Sequence, residues 1–152
     1  MTTLPLSSHA KPIDTFGQAA ELERELRRAV RGEVAAIVMI RTIVQGEVRF
    51  DRGSRALYAT DASNYRQVPI GVVIPKDEDD VRDAVAICRS LGAPILARGS
   101  GTSLAGQTCN VAVVLDFTKY MNRILEIDIE KRTARVQPGV ILDTLRTRAE
   151  QH

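Results

Sequence analysis

The sequence has no tryptophan, and its aromatic fraction is only 4%. That weakens any case for a nucleic-acid surface built on base stacking. Histidine is confined to His9 and His152, so no Ser-His-Asp triad and no His-based metal site fits between them. The two cysteines, Cys88 and Cys109, form neither a CxxC pair nor a zinc pattern. Free thiols in a reducing compartment are the expectation. Charge of one sign is also missing: 21 basic residues face 19 acidic ones, for a net charge of +2. No basic stripe calls for a nucleic-acid partner. The apolar-rich stretch Val34 to Val44 is interrupted by Arg41 and is too short to span a bilayer. Met1 to Pro12 lacks the basic start and apolar core of a signal peptide. The expected location is the cytoplasm, with any membrane association at its cytoplasmic face made through partners.

What remains is an ordinary globular composition, 44% apolar and 26% charged over 152 residues, enough for one domain with a core. Residues 1 to 15 read as a loose arm. Phe16 to Arg31 follows a helical period through Leu22, Leu26, Ala29 and Val30. Gly32 to Val48 fits both a helical and a strand period, and Gly-Glu-Val occurs in it twice, at 32–34 and 46–48. Ile70 to Ile74, ended by Pro75, reads as a buried strand. A helix follows, capped by Asp77, with an apolar stripe of Val81, Ala84, Val85, Cys88 and Leu91. The acidic run Asp77 to Asp80 reads as a solvated helix end. Gly92 ends this helix and Pro94 blocks its continuation. Pro94 to Ala97 and Val111 to Asp116 are further strands, so the region should be parallel α/β. Ile124 to Ile129 and Thr133 to Gln137 form a hairpin. After Pro138-Gly139, Val140 to Gln151 reads as a helix with Leu142, Leu145 and Ala149 inside.

The chemistry lies in the loop Arg98-Gly99-Ser100-Gly101-Thr102-Ser103-Leu104-Ala105-Gly106-Gln107, directly after a strand. Gly99, Gly101 and Gly106 permit positive φ and close approach of a ligand to the backbone. A turn of this kind aims successive N–H groups at an anion, and Ser100, Thr102 and Ser103 add hydroxyls. Two phosphates are the natural guest, although a tight structural turn uses the same residues. The P-loop pattern fails because Gly106 is followed by Gln107, not lysine. The dinucleotide G-x-G-x-x-G pattern fails because Leu104 occupies its third glycine. Asp61, Ser63 and Tyr65 invite a catalytic reading because they cluster, but they read first as an Asx-type turn with a packed tyrosine.

This loop, with Val72-Val-Ile-Pro-Lys76 before it, resembles the FAD-linked oxidase N-terminal domain, the flavin fold of the p-cresol methylhydroxylase and vanillyl-alcohol oxidase type. Tyr58 to Tyr65, Leu115 to Met121 and Val136 to Val140 resemble its D-lactate dehydrogenase and glycolate oxidase branch, over roughly residues 46 to 150. The fold so implied is α/β: a small parallel sheet with flanking helices, then the start of an antiparallel part. Residues 1–45 would be an N-terminal arm and helical segment, and 46–152 the front of the FAD-binding domain. The last helix runs to the chain end, and no later strand covers the hairpin. The expectation is therefore a domain that continues, and a 152-residue chain inactive by itself.

The resemblance implies FAD held by Pro75, Arg98, Gly99, Ser100, Gly101, Thr102, Ser103, Gly106, Gln107, Pro138 and Gly139. Arg98 either pairs with phosphate or pins the loop to a carboxylate such as Asp116. Some relatives link flavin covalently through a histidine at the position of Thr102, so FAD is expected to be non-covalent here. The implied function is oxidation of a small 2-hydroxy acid, of D-lactate or glycolate type, to a keto acid. A quinone or an iron–sulfur module would accept the electrons. The residues assign no catalytic group and no metal site. A different class of reading is a flavin-free binding or assembly module, a homodimer through the uncovered surface.

Overall fold

The computed structural model describes residues 35–151; the expected helix at 16–31 and the first Gly-Glu-Val lie outside them. The ambiguous stretch resolves into both candidates in turn. Residues 35–43 are helical (α1), and Ala36, Ile40 and Val44 are buried four apart, the spacing of one helical face. Strand β1, Glu47–Arg49, then begins inside the second Gly-Glu-Val. Gly46 precedes it because a Cβ there would lie 2.2 Å from the Ile74 carbonyl oxygen. A short helix α2, Arg52–Leu57, is capped by Asp51, whose carboxylate accepts from Ser54 N at 2.8 Å.

The main sheet holds β1, β2 (Gly71–Ile74), β4 (Val113–Asp116) and β3 (Ile95–Arg98), in that order. β1 runs antiparallel to β2, while β2 and β3 both run parallel to β4. All residues of β2 and β4 are buried, so these strands read as continuous apolar runs. Val73, Val113 and Leu115 face a core shared with α1 and with α3 (Glu78–Leu91), whereas Val72, Ile74 and Val114 face Tyr58, Leu96 and Tyr120. Each fully buried valine contributes roughly 1.5–3 kcal/mol of burial.

Helix α3 is capped as expected: Asp77 accepts from Asp79 N and Asp80 N, both at 3.0 Å, and Gly92 closes it at φ 68. Two details differ from the sequence reading. Ile87 is buried while Val85 is 39% exposed, because the helix turns its Ala84–Ile87–Cys88 edge to the sheet. Asp80 is not a solvated helix end: it is 3% exposed and accepts from Gln45 N at 2.8 Å, Gly46 N at 2.9 Å and Lys76 N at 2.9 Å.

Strands β5 (Ile124–Asp128) and β6 (Thr133–Val136) form the expected hairpin as a separate antiparallel sheet. Its turn is held by Asp128, which accepts from Lys131 N at 2.8 Å, with Arg132 at φ 52. Helix α4, Leu142–Ala149, follows. None of its residues is buried, Leu142 is exposed and Leu145 only half-buried, so the expected inward set of Leu142, Leu145 and Ala149 is not buried within the described residues.

Candidate functional site

Strands β2, β3 and β4 are parallel and in register, so their carboxyl ends share one edge of the sheet. In open α/β sheets that edge is where ligands bind. Pro75, fully buried, leaves β2 there. The glycine loop leaves β3, and Phe117 N closes the ladder by donating to Arg98 O at 3.1 Å. The turn Pro138-Gly139 is drawn to the end of β4, since Gly139 N donates to Met121 O at 2.9 Å. A Cβ on Gly139 would lie 2.2 Å from the Phe117 carbonyl oxygen, so only glycine allows this approach. Segments far apart in sequence thus meet at one edge.

Within the loop, Gly101 has φ 69, the left-handed conformation that anion-binding nests use. Among the described residues, no backbone amide of residues 100–104 donates to a protein acceptor. Ser100, Thr102 and Leu104 are exposed, so these N–H groups are open to water or to an anion. Gly99 has no positive φ and would meet no atom within 4 Å of an added Cβ, so the protein itself leaves open space there. Room beside a glycine and a row of free amides fit the pyrophosphate of FAD. Ser100 and Thr102 are exposed on the same loop. Gln107 closes its far limb: its side-chain carbonyl accepts from the Ser103 hydroxyl and from Ala105 N at 3.2 Å.

Arg98 does not pin the loop to Asp116. Its Nη1 donates to Thr108 O at 2.9 Å, its Nη2 to Thr60 O at 2.9 Å, and its guanidinium stands 5.2 Å from the Tyr58 ring centre. Asp116 instead accepts from the Tyr58 hydroxyl at 2.5 Å and from Thr118 N at 2.8 Å. Burial, and then this bond to Asp116, push the Tyr58 hydroxyl up to about 12. Asp61 makes the expected Asx turn, accepting from Ser63 N at 2.9 Å. Its other oxygen accepts from Thr108 N at 3.2 Å and Thr108 Oγ1 at 3.0 Å. The Ser63 hydroxyl, foremost among these donors, holds the Asp61 carboxyl down at about 2. Tyr65 is 61% exposed, less packed than the sequence suggested, although its ring edge lies against Gly106. Thr108 and Tyr58 were missed as parts of the site; only their positions flanking the loop and the Asx turn hinted at it.

A mostly parallel sheet with a glycine-rich loop at its carboxyl edge, followed by an antiparallel hairpin, is the fold of a flavin-binding domain of the p-cresol methylhydroxylase type. Residues 69–152 match the family described as FAD binding domain, and the chain belongs to that family. The glycolate oxidase subunit GlcD of Bacillus subtilis (strain 168) is 45% identical over 109 residues, covering 68% of this chain and 23% of that protein. The D-2-hydroxyglutarate dehydrogenase of Pseudomonas putida (strain KT2440) is 35% identical over 114 residues, covering 71% of this chain and 11% of that protein. The crystal structure of p-cresol methylhydroxylase with substrate bound superposes with a TM-score of 0.65 at 23% identity, over 76% of this chain and 24% of that one. The chain therefore spans a quarter or less of the length of these proteins.

Proposed function

We propose that residues 46–152 act as the front of the FAD-binding domain in an oxidoreductase that converts a small 2-hydroxy acid to its keto acid. The observation that carries this is the row of free loop amides at the carboxyl edge of the parallel strands. Gly99, Ser100, Gly101, Thr102 and Ser103 hold the pyrophosphate, mostly through the backbone. Gly106 and Gln107 shape the far limb, and Pro75, Pro138 and Gly139 wall the same edge. Arg98 belongs to this site by position. When bound, FAD supplies the two-electron acceptor that amino-acid side chains lack. The protein's part is to fix the cofactor by its phosphates and leave the reactive ring to be held elsewhere.

The names of the two sequence relatives support a 2-hydroxy acid of the glycolate or D-2-hydroxyglutarate kind, and the sequence resemblance adds D-lactate. We assign a quinone or an iron–sulfur module as the electron acceptor, a cytoplasmic location, and non-covalent FAD. No helix among the described residues is long and apolar enough to cross a membrane. The test is to purify the protein at its natural length, record its flavin absorption, and supply these three acids with a dye acceptor. Flavin colour and dye reduction with one of them are expected. A colourless protein that reduces no dye overturns the proposal.

A further inference from the structure

Arg98 is the one cation inside the glycine loop, and its guanidinium is engaged by backbone carbonyls of neighbouring segments. Its guanidinium reaches the carbonyl oxygens of Thr60 and Thr108 at 2.9 Å each and that of Tyr58 at 3.4 Å. It also lies directly behind Gly101: a Cβ there would be 2.4 Å from Nη2. The planar fork thus ties three segments together: residues 58–60, the first limb of the loop, and Thr108 at its far end. Asp61 closes the ring at Thr108. It takes both the N–H and the hydroxyl of Thr108 on one oxygen while the other organises Ser63. Ala62 N then donates to Gly101 O at 3.0 Å, anchoring the left-handed residue itself. An anion at Asp61 and a cation at Arg98 grip Thr108 by different atoms, so neither replaces the other.

We infer that Arg98 is a positioning residue that holds the phosphate loop in its binding shape, not a ligand of the phosphates, and that Asp61 is its counterpart on the far limb. The inference rests on the reading of this loop as the FAD pyrophosphate site. Preorganisation is its physical content: a loop already shaped spends none of the binding energy on ordering itself. Lysine at position 98 keeps the charge, but its single head cannot span carbonyls on separate segments.

The experiment compares the protein at its natural length with Arg98→Lys, Arg98→Met and Asp61→Ala. Amide hydrogen exchange is measured without flavin, and FAD affinity by titration. The expected result is faster exchange at Ala62, Thr108 and Cys109 in all three flavin-free variants, with FAD bound about tenfold more weakly by lysine and methionine alike. Unchanged exchange in the flavin-free protein, whether or not FAD affinity falls, overturns the inference; a fall alone would make Arg98 a phosphate ligand. Faster exchange with unchanged FAD affinity overturns it too, because loop order would then not matter to binding. If the Arg98 variants fail to fold by circular dichroism, Asp61→Ala must show the same pair of changes, and its failure to do so counts against the inference. An unmodified protein that binds no FAD sinks the functional proposal instead, while exchange still reports whether Arg98 orders the loop.

Discussion

Gly101 and Ser100 are neighbours with different physical duties. Gly101 holds φ 69 with Arg98 packed behind it, whereas Ser100 is exposed and offers one hydroxyl. Gly101→Val forces a β-branched residue into the left-handed region and drives its Cβ into the guanidinium, a strain of about 2 kcal/mol. Ser100→Ala removes at most one hydrogen bond, about 1 kcal/mol. FAD titration of both folded variants should show the larger loss for Gly101→Val; equal affinity for the valine variant and the unmodified protein would remove the loop from the phosphate site. Glu47 makes a prediction about pH. It accepts from Lys119 Nζ, from Arg49 and from the Tyr120 hydroxyl, the last at 2.7 Å. The Lys119 bond foremost, then Arg49 and Tyr120, hold its carboxyl down from 4.5 to about 2. The folded form therefore gives up this proton more readily than the unfolded chain. The stability it contributes is complete above pH 4.5 and is lost as the pH falls towards about 2. Urea unfolding followed by circular dichroism should become easier across that window, and Glu47→Gln should flatten the dependence.

Helix α3 gains its position from a residue the sequence hides. Asp80 is buried, and its carboxylate gathers amides from the end of the α1 segment, from the entry to β1 and from the exit of β2. Asp80→Ala leaves those donors unpaired and should cost about 3 kcal/mol in urea unfolding, far more than an exposed acid of the same turn such as Asp79. A loss under about 0.5 kcal/mol, the range of ordinary surface changes, would show that the amides find other partners. The caps of α3, its strands and the hairpin were legible because Asp77, Gly92, Pro75 and Pro94 act on the backbone next to them. The glycine loop was legible for the same reason. Asp80 was not, since nothing local separates a capping acid from a buried one; only the approach of Gln45 and Gly46 does. The target of Arg98 was equally hidden, because its acceptors are backbone carbonyls, which every residue carries and no sequence pattern marks. α4 was read with a buried face that the described residues do not cover.

At the scale of the molecule, the chain spans 23% of the B. subtilis relative and 11% of the P. putida one, and it joins a parallel sheet to an antiparallel hairpin. Thr102 lies exposed on the loop, and a hydroxyl there cannot form the histidine linkage that the resemblance implies in some relatives. Acid precipitation of the flavin-loaded protein should leave the yellow fluorescence in the supernatant. Colour retained in the washed pellet would contradict non-covalent attachment.

The order of the strands has a consequence for how the domain comes into being. β4 lies between β2 and β3 although it is the last of the three to be synthesised. Among the described residues β3 bonds to no strand other than β4, so it has no strand partner until Val113–Asp116 has been synthesised. The stretch that waits with it is the glycine loop, the tether between β3 and β4. Pairing with β4 is less local than helix formation, which tends to come first. The glycine loop therefore takes its place at the carboxyl edge only once β4 has paired, and FAD bound at that edge would stabilise the paired sheet.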